Sequence, residues 1–60
     1  MVYDNIKAIC DKKGISIKKL EQEAELGSGT IYKWQTVSPT LENLKIVADK
    51  LGVKVSKLID

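Results

Sequence analysis

The side chains best suited to binding chemistry lie in one stretch of this 60-residue chain, residues 17–36. Small, aromatic, cationic and hydroxyl-bearing residues share one helical face there: Gly29, Tyr32, Lys33 and Thr36, with Ser28 at its edge. Small residues let a backbone approach a partner closely, while a lysine and a tyrosine reach further, which suits contact with a base-pair edge. An ordinary solvated helix face is the alternative interpretation of the same residues.

Catalysis is not expected from this chain. It has no histidine, no paired acids in a recognisable site and too little mass for a cleft, so acid–base or nucleophilic chemistry has no evident constellation. The single cysteine cannot form an internal disulfide, and no second cysteine offers a metal cluster. On an apolar helix face, Cys10 is more typical of a small core side chain than of a reactive thiol. We expect no enzyme activity, no cofactor and no metal.

Two short helices joined by a tight turn would position the polar set. Apolar residues recur at helical spacing in both halves of the stretch: Ile17, Leu20 and Ala24, then Ile31 and Trp34. The turn between the halves contains two glycines. Helices joined so tightly must cross steeply, which predicts a helix-turn-helix whose second helix spans about residues 28–35. Trp34 would be buried and fix the angle of that helix.

Three further helices complete the predicted all-α architecture. Residues 2–13 form an amphipathic helix that Gly14 ends. Ser16 is placed to cap the second helix, and Thr40 to cap a fourth that closes at Gly52. Apolar residues of the fourth helix again follow helical spacing: Leu41, Leu44, Val47, Ala48 and Leu51. A final turn at about residues 55–59 would lay Leu58 and Ile59 onto the core.

Composition places few limits on the function. Sixty residues make one small domain, residues 1–60, and no run approaches the roughly 20 apolar residues that cross a bilayer. Charges interrupt the N-terminal segment, so we expect no signal peptide, no membrane partner and a soluble, cytoplasmic protein. Ten lysines against eight acids leave a net charge of +2, with no arginine. Charge alone is therefore weak support for a nucleic-acid partner.

Two runs carry a family resemblance that covers residues 6–59 without a gap. They are GISIKKLEQEAELGSGTIYKW and SPTLENLKIVADKLGVKVSKLI. They resemble the helix-turn-helix family of phage Cro and lambda-type repressors, often called the XRE family. Apolar residues stand where that family keeps its core: Leu20, Ala24, Leu26, Ile31 and Trp34. The resemblance implies a compact five-helix lambda-repressor-like bundle that binds double-stranded operator DNA as a transcriptional regulator, usually a repressor.

Three residues depart from the family pattern. Ile17 stands where the family often has a glutamine that touches phosphate, so this contact is not carried over. Glu21 replaces a small residue, mostly alanine, and Glu25 replaces the glycine that opens the turn. Glu25 implies either a positive backbone angle with strain of about 1 kcal/mol or a different turn, eased by Gly27. Glu21 and Glu25 are also spaced so that their charges repel.

The resemblance assigns roles to the polar set. The second helix of the motif would lie in the major groove, where Ser28, Gly29, Tyr32 and Lys33 would face bases. Phosphate contacts would come from hydroxyls and cations around it: Ser16, Lys18, Lys19, Thr30 and Thr36. For Ser16 the alternative is a cap alone, with both lysines solvated.

A symmetric dimer on a near-palindrome is the expected assembly, because one such helix reads about half of a typical operator. Val53, Val55 and Ile59 are candidate dimer contacts, with the alternative that they are core. A second hypothesis is a protein-interaction module, such as an antitoxin or phage accessory protein, that keeps the fold with weak DNA binding. Steep loss of binding with salt would distinguish DNA from a mostly apolar protein contact.

Overall fold

Five helices make up the computed structural model, which describes residues 1–59. They are α1 (Val2–Lys13), α2 (Ile17–Glu23), α3 (Thr30–Lys33), α4 (Leu41–Leu51) and α5 (Ser56–Ile59). The predicted all-α, five-helix architecture is confirmed. Helices α1 and α4 are the long elements, and the helix-turn-helix formed by α2 and α3 packs against them.

Each long helix ends where the sequence predicts. Gly14 and Gly52 follow α1 and α4 in the left-handed conformation, with φ of 72° and 71°. Glycine takes this conformation without a Cβ clash, so both helices stop there. At the start of α4, the Thr40 hydroxyl accepts a hydrogen bond from the Asn43 N–H at 3.1 Å. These signals are local in sequence, and all three predictions are confirmed.

One hydrophobic core holds the helices together. It takes side chains from all five: Ile6, Cys10, Leu20, Ile31, Trp34, Leu44, Val47, Ala48, Leu51 and Leu58. Trp34 is only 7% exposed, so its predicted burial is confirmed. The Asn5 side-chain amide also donates to the Leu58 carbonyl at 2.8 Å, which joins α1 to α5.

Two expectations about these helices are wrong. The second helix of the motif is shorter than predicted, because Gly29 takes φ 86° as its N-cap and Trp34 is already its C-cap. Ile59 is 57% exposed, while Leu58 alone of that pair enters the core. Leu41, the first residue of α4, is 60% exposed, although its spacing matches the buried side chains of that helix.

Candidate nucleic-acid interface

The N-terminus of α2 is capped as predicted. Ser16 lies in extended conformation and its hydroxyl oxygen accepts a hydrogen bond from the Lys19 N–H at 3.0 Å. Its hydroxyl proton has no acceptor among the hydrogen bonds of the described residues, so Ser16 can still donate to an anion. Lys18 and Lys19 are both exposed beside it. Lys19 lies 4.0 Å from a Glu23 carboxylate oxygen, whereas Lys18 has no ion pair within residues 1–59.

Glu21 anchors the start of α3. Its two carboxylate oxygens accept hydrogen bonds from the backbone N–H groups of Gly29, at 3.1 Å, and Ile31, at 2.8 Å. Gly29 is the N-cap of α3 and has no side chain of its own with which to cap it. A carboxylate from the preceding helix therefore does this, and its negative charge also suits the positive end of the short helix.

The sequence interpretation missed this role. Glu21 is 4% exposed and its carboxylate is bound to two backbone amides, so it is not the solvated surface charge that its spacing from Glu25 suggested. Its partners lie eight and ten residues further along the chain, beyond the local spacings that capping rules cover. The sequence does contain a signal for this role. Glu21 is an acid where the family has a small residue, and it lies eight positions before Gly29, the N-cap of the next helix.

The turn between the two helices begins with backbone strain. Glu25 has φ 58°, and it is the one non-glycine residue with positive φ in the part of the chain that the structure describes. Of the two alternatives given for Glu25, a strained positive φ or a different turn, the structure has the strained positive φ. Gly27 does not take a positive φ and so does not relieve it. The Glu25 side chain is exposed.

The predicted base-facing residues lie together on the outer side of α3 and the turn before it. Ser28, Tyr32 and Lys33 are exposed and Gly29 is half-buried, while Ile31 beneath them is fully buried. Ser28 and Gly29 belong to the turn rather than to the helix. A small hollow of about 50 Å³ brings Ser28 close to α2, where Lys18 and Gln22 line it.

Tyr32 contacts a residue outside the helix-turn-helix. Its ring meets the ring of Tyr3 in α1 edge to face, with centroids 6.0 Å apart and an angle of 84° between the planes. Tyr32 is still 65% exposed, and Tyr3 is half-buried. The first helix thus supports a predicted base-facing side chain, a link that no sequence pattern indicated because 29 residues separate the two tyrosines.

The two threonines in the predicted phosphate set differ in what they offer. The Thr36 hydroxyl donates to the Lys33 carbonyl at 3.3 Å, so its proton is already engaged. Thr30 is the first residue of α3 and is half-buried. Its backbone N–H donates to the Gly27 carbonyl at 3.0 Å. Thr30 begins α3, whereas Thr36 lies three residues after its last residue, Lys33.

A family model for the Cro/C1-type helix-turn-helix DNA-binding domain matches residues 5–60. The chain belongs to this family. Comparison with curated proteins and with solved structures finds no match. The sequence resemblance to Cro and lambda-type repressors is therefore confirmed, and the five helices form the lambda-repressor-like bundle that it implied. DNA binding of the Cro/C1 type is the property of the family, whose domains are typically non-enzymatic.

The structure explains two of the residues that depart from the family pattern, Ile17 and Glu21. Ile17 is half-buried and packs against the core, so it strengthens packing at a position where the family often contacts phosphate. Glu21 caps α3 instead of leaving space between the helices. The third departure, Glu25, keeps the backbone geometry of a glycine turn in a residue that adopts it less readily.

Burial also determines the chemistry of the cysteine. Cys10 is almost fully buried in the core. Burial raises the pKa of its thiol, the nearby Asp11 carboxylate raises it further, and Lys7 acts in the opposite direction. A protonated, buried thiol is a poor nucleophile, as expected for a core side chain.

Among the described residues, no helix is both long and apolar enough to span a bilayer.

Proposed function

We propose that the chain is a sequence-specific regulator of transcription that places α3 and the preceding turn in the major groove of double-stranded operator DNA. The supporting observation is the two-sided character of this element. Ile31 and Trp34 hold one side in the core, Glu21 fixes the N-terminus, and the polar side remains exposed. A repressor of phage or mobile-element type, acting in the cytoplasm as one domain over residues 1–60, is the form we propose.

Base reading is assigned to four residues of this element. Lys33 would donate to the major-groove acceptors of guanine, and Tyr32 would contact a thymine methyl group or a phosphate. Ser28 and Gly29 would admit the backbone close to the base edges. Because the chain has no arginine, the strongest bidentate guanine contact, that of a guanidinium, is unavailable, and we expect modest affinity for each domain.

Phosphate contacts are assigned to the surrounding hydroxyls and cations. Lys18 is the strongest candidate, since it is exposed, has no ion pair within residues 1–59 and lines the same hollow as Ser28. Ser16 can donate its hydroxyl proton, and Lys19 must loosen its contact with Glu23 at 4.0 Å. Thr30 and Thr36 complete the set. The Thr36 hydroxyl would exchange the Lys33 carbonyl for a phosphate oxygen.

A homodimer on a near-palindromic site is the assembly that we propose. Of the three candidate contacts on the last segment, Val53 and Val55 pack against the core, whereas Ile59 is exposed. Ile59 therefore remains the candidate dimer contact. Two domains related by a two-fold axis would read half-sites about one helical turn of DNA apart.

The decisive experiment is selection of bound duplexes from a random pool at low and moderate salt. Recovery of a near-palindrome with half-sites one turn apart would support a dimeric sequence reader. Lys33→Ala should change the preferred sequence, while Lys18→Ala should weaken all duplexes alike and flatten the dependence of affinity on salt. Binding without enrichment, or a Lys33→Ala variant of unchanged selectivity, would refute the base-reading assignment.

A further inference from the structure

A groove of about 550 Å³ lies between α1 and the segment that contains α5. Besides Asn5, its lining combines apolar and cationic side chains. Ala8, Ile9 and Val53 are apolar, and three lysines accompany them: Lys12, Lys13 and Lys57. Along α1 the groove extends from position 5 to position 13, about 12 Å at 1.5 Å per residue. That length matches about two turns of a bound helix.

This groove faces away from the proposed DNA-binding surface. Tyr3 and Lys12 are nine positions apart in α1, which at about 100° per residue places them on opposite sides of the helix. Tyr3 contacts Tyr32 on the outer side of α3, whereas Lys12 lines the groove. A ligand in the groove therefore leaves α3 accessible.

The three lysines of the groove differ from other lysines of the chain in their ion pairing. Within residues 1–59, none of the three has a carboxylate within ion-pair distance. By contrast, Lys7, on the same helix but outside the groove, lies 3.5 Å from Asp11. Three unpaired cations beside apolar side chains complement a ligand that carries both carboxylates and apolar groups.

We propose that this groove binds a short acidic segment of a second protein, with its apolar side chains against Ala8, Ile9 and Val53 and its carboxylates against the lysines. A nucleic acid fits the lining less well, because no aromatic side chain of the groove can stack on a base and the apolar residues would face sugar and phosphate. The proposal goes beyond DNA binding and does not depend on it. It also gives the protein-interaction hypothesis a definite surface.

The test uses capped twelve-residue peptides and ¹H–¹⁵N spectra of the full chain. The probe peptide has leucine and glutamate at helical spacing. One control replaces every glutamate by glutamine, and another is an oligoglutamate of equal charge. We expect the probe peptide to shift the amide signals of Ala8, Ile9 and Val53 in a saturable manner. Both controls should bind at least about tenfold more weakly, since the glutamine peptide lacks the carboxylates and oligoglutamate lacks the apolar side chains.

Charge reversal on the chain provides the matched comparison. Lys12→Glu combined with Lys57→Glu should weaken the probe peptide by about tenfold or more. Lys45→Glu combined with Lys50→Glu changes the net charge equally on exposed positions of α4 and should leave peptide affinity within about twofold. Duplex DNA affinity should change no more in the first pair than in the second.

Several outcomes would overturn the proposal. They are absence of groove shifts at millimolar peptide, equal binding of oligoglutamate, equal loss in the two charge-reversal pairs, or displacement of the peptide by duplex DNA. The last would assign the groove to nucleic acid instead. Failure of operator selection with intact peptide binding would refute the proposed function and leave the groove proposal standing.

Discussion

Removing the Glu21 carboxylate should destabilise the domain more than any other change of a charged side chain. In Glu21→Ala, the Gly29 and Ile31 N–H groups lose their acceptors, and the hydrogen bond to Ile31 is the more deeply buried of the two. An unsatisfied buried amide costs about 1–3 kcal/mol. Because the Gly29 amide is only half-buried, we expect a total loss of about 2–4 kcal/mol.

That loss is large relative to the whole stability. At about 0.05–0.15 kcal/mol per residue, a chain of this length has a free energy of unfolding of about 3–9 kcal/mol. Urea unfolding followed by the fluorescence of Trp34, the single tryptophan, measures the change directly. The midpoint should fall while the m-value stays constant, since the same surface is exposed on unfolding.

Glu23→Ala is the matched control. It removes the same charge from the same helix, but Glu23 is exposed and only 4.0 Å from Lys19, so the expected change is below about 0.5 kcal/mol. Glu21→Gln, which keeps one acceptor oxygen, should fall between the two. The amide protons of Gly29 and Ile31 should exchange faster in Glu21→Ala. Equal stability of the Glu21→Ala and Glu23→Ala variants would refute the capping role.

Three further predictions concern the turn, the core and α1. Glu25→Gly should raise the free energy of unfolding by about 0.5–1 kcal/mol, because the strain energy that glycine relieves at this positive φ exceeds the conformational entropy that glycine adds to the unfolded chain. Glu25→Gln keeps the strain and should leave the free energy of unfolding unchanged. Because burial raises the pKa of the Cys10 thiol, the contribution of this thiol to stability is fully present well below its unfolded pKa of about 8.5 and declines as the pH rises through that value. The stability difference between wild type and Cys10→Ala should therefore narrow from pH 8 to 10, and a constant difference would contradict the assignment. If Tyr32 contacts a base as proposed, Tyr3→Ala should broaden the base preference at that position while overall duplex affinity falls less than tenfold. Unchanged selectivity would show that the contact with Tyr3 does not orient Tyr32.

Much of the fold was predictable because its signals are local. The glycines after α1 and α4 and the hydroxyl caps of α2 and α4 act within three residues of the helix ends they define. The helical spacing of Ile31 and Trp34, both of which are buried, likewise identified the inner side of α3. Such features depend on backbone geometry and periodicity, which a single sequence displays.

The features that escaped prediction depend on contacts between separate elements. The capping role of Glu21 depends on the Gly29 and Ile31 amides, which the turn between α2 and α3 brings to its carboxylate. The Tyr3–Tyr32 contact needs the packing of α1 beside α3. Ile59 directly follows the buried Leu58, and periodicity over a four-residue helix does not define which of the two faces the core.

The hydrogen bond from Asn5 to Leu58 has a consequence for the order of folding. It joins residues 53 positions apart, whereas Glu21 reaches its partners over eight and ten. Short loops close faster and at lower entropic cost than long ones, so the α2–α3 unit should organise before α1 meets α5. Weakening the α1–α5 contact, as in Asn5→Ala, should then accelerate unfolding while refolding from urea keeps nearly its original rate.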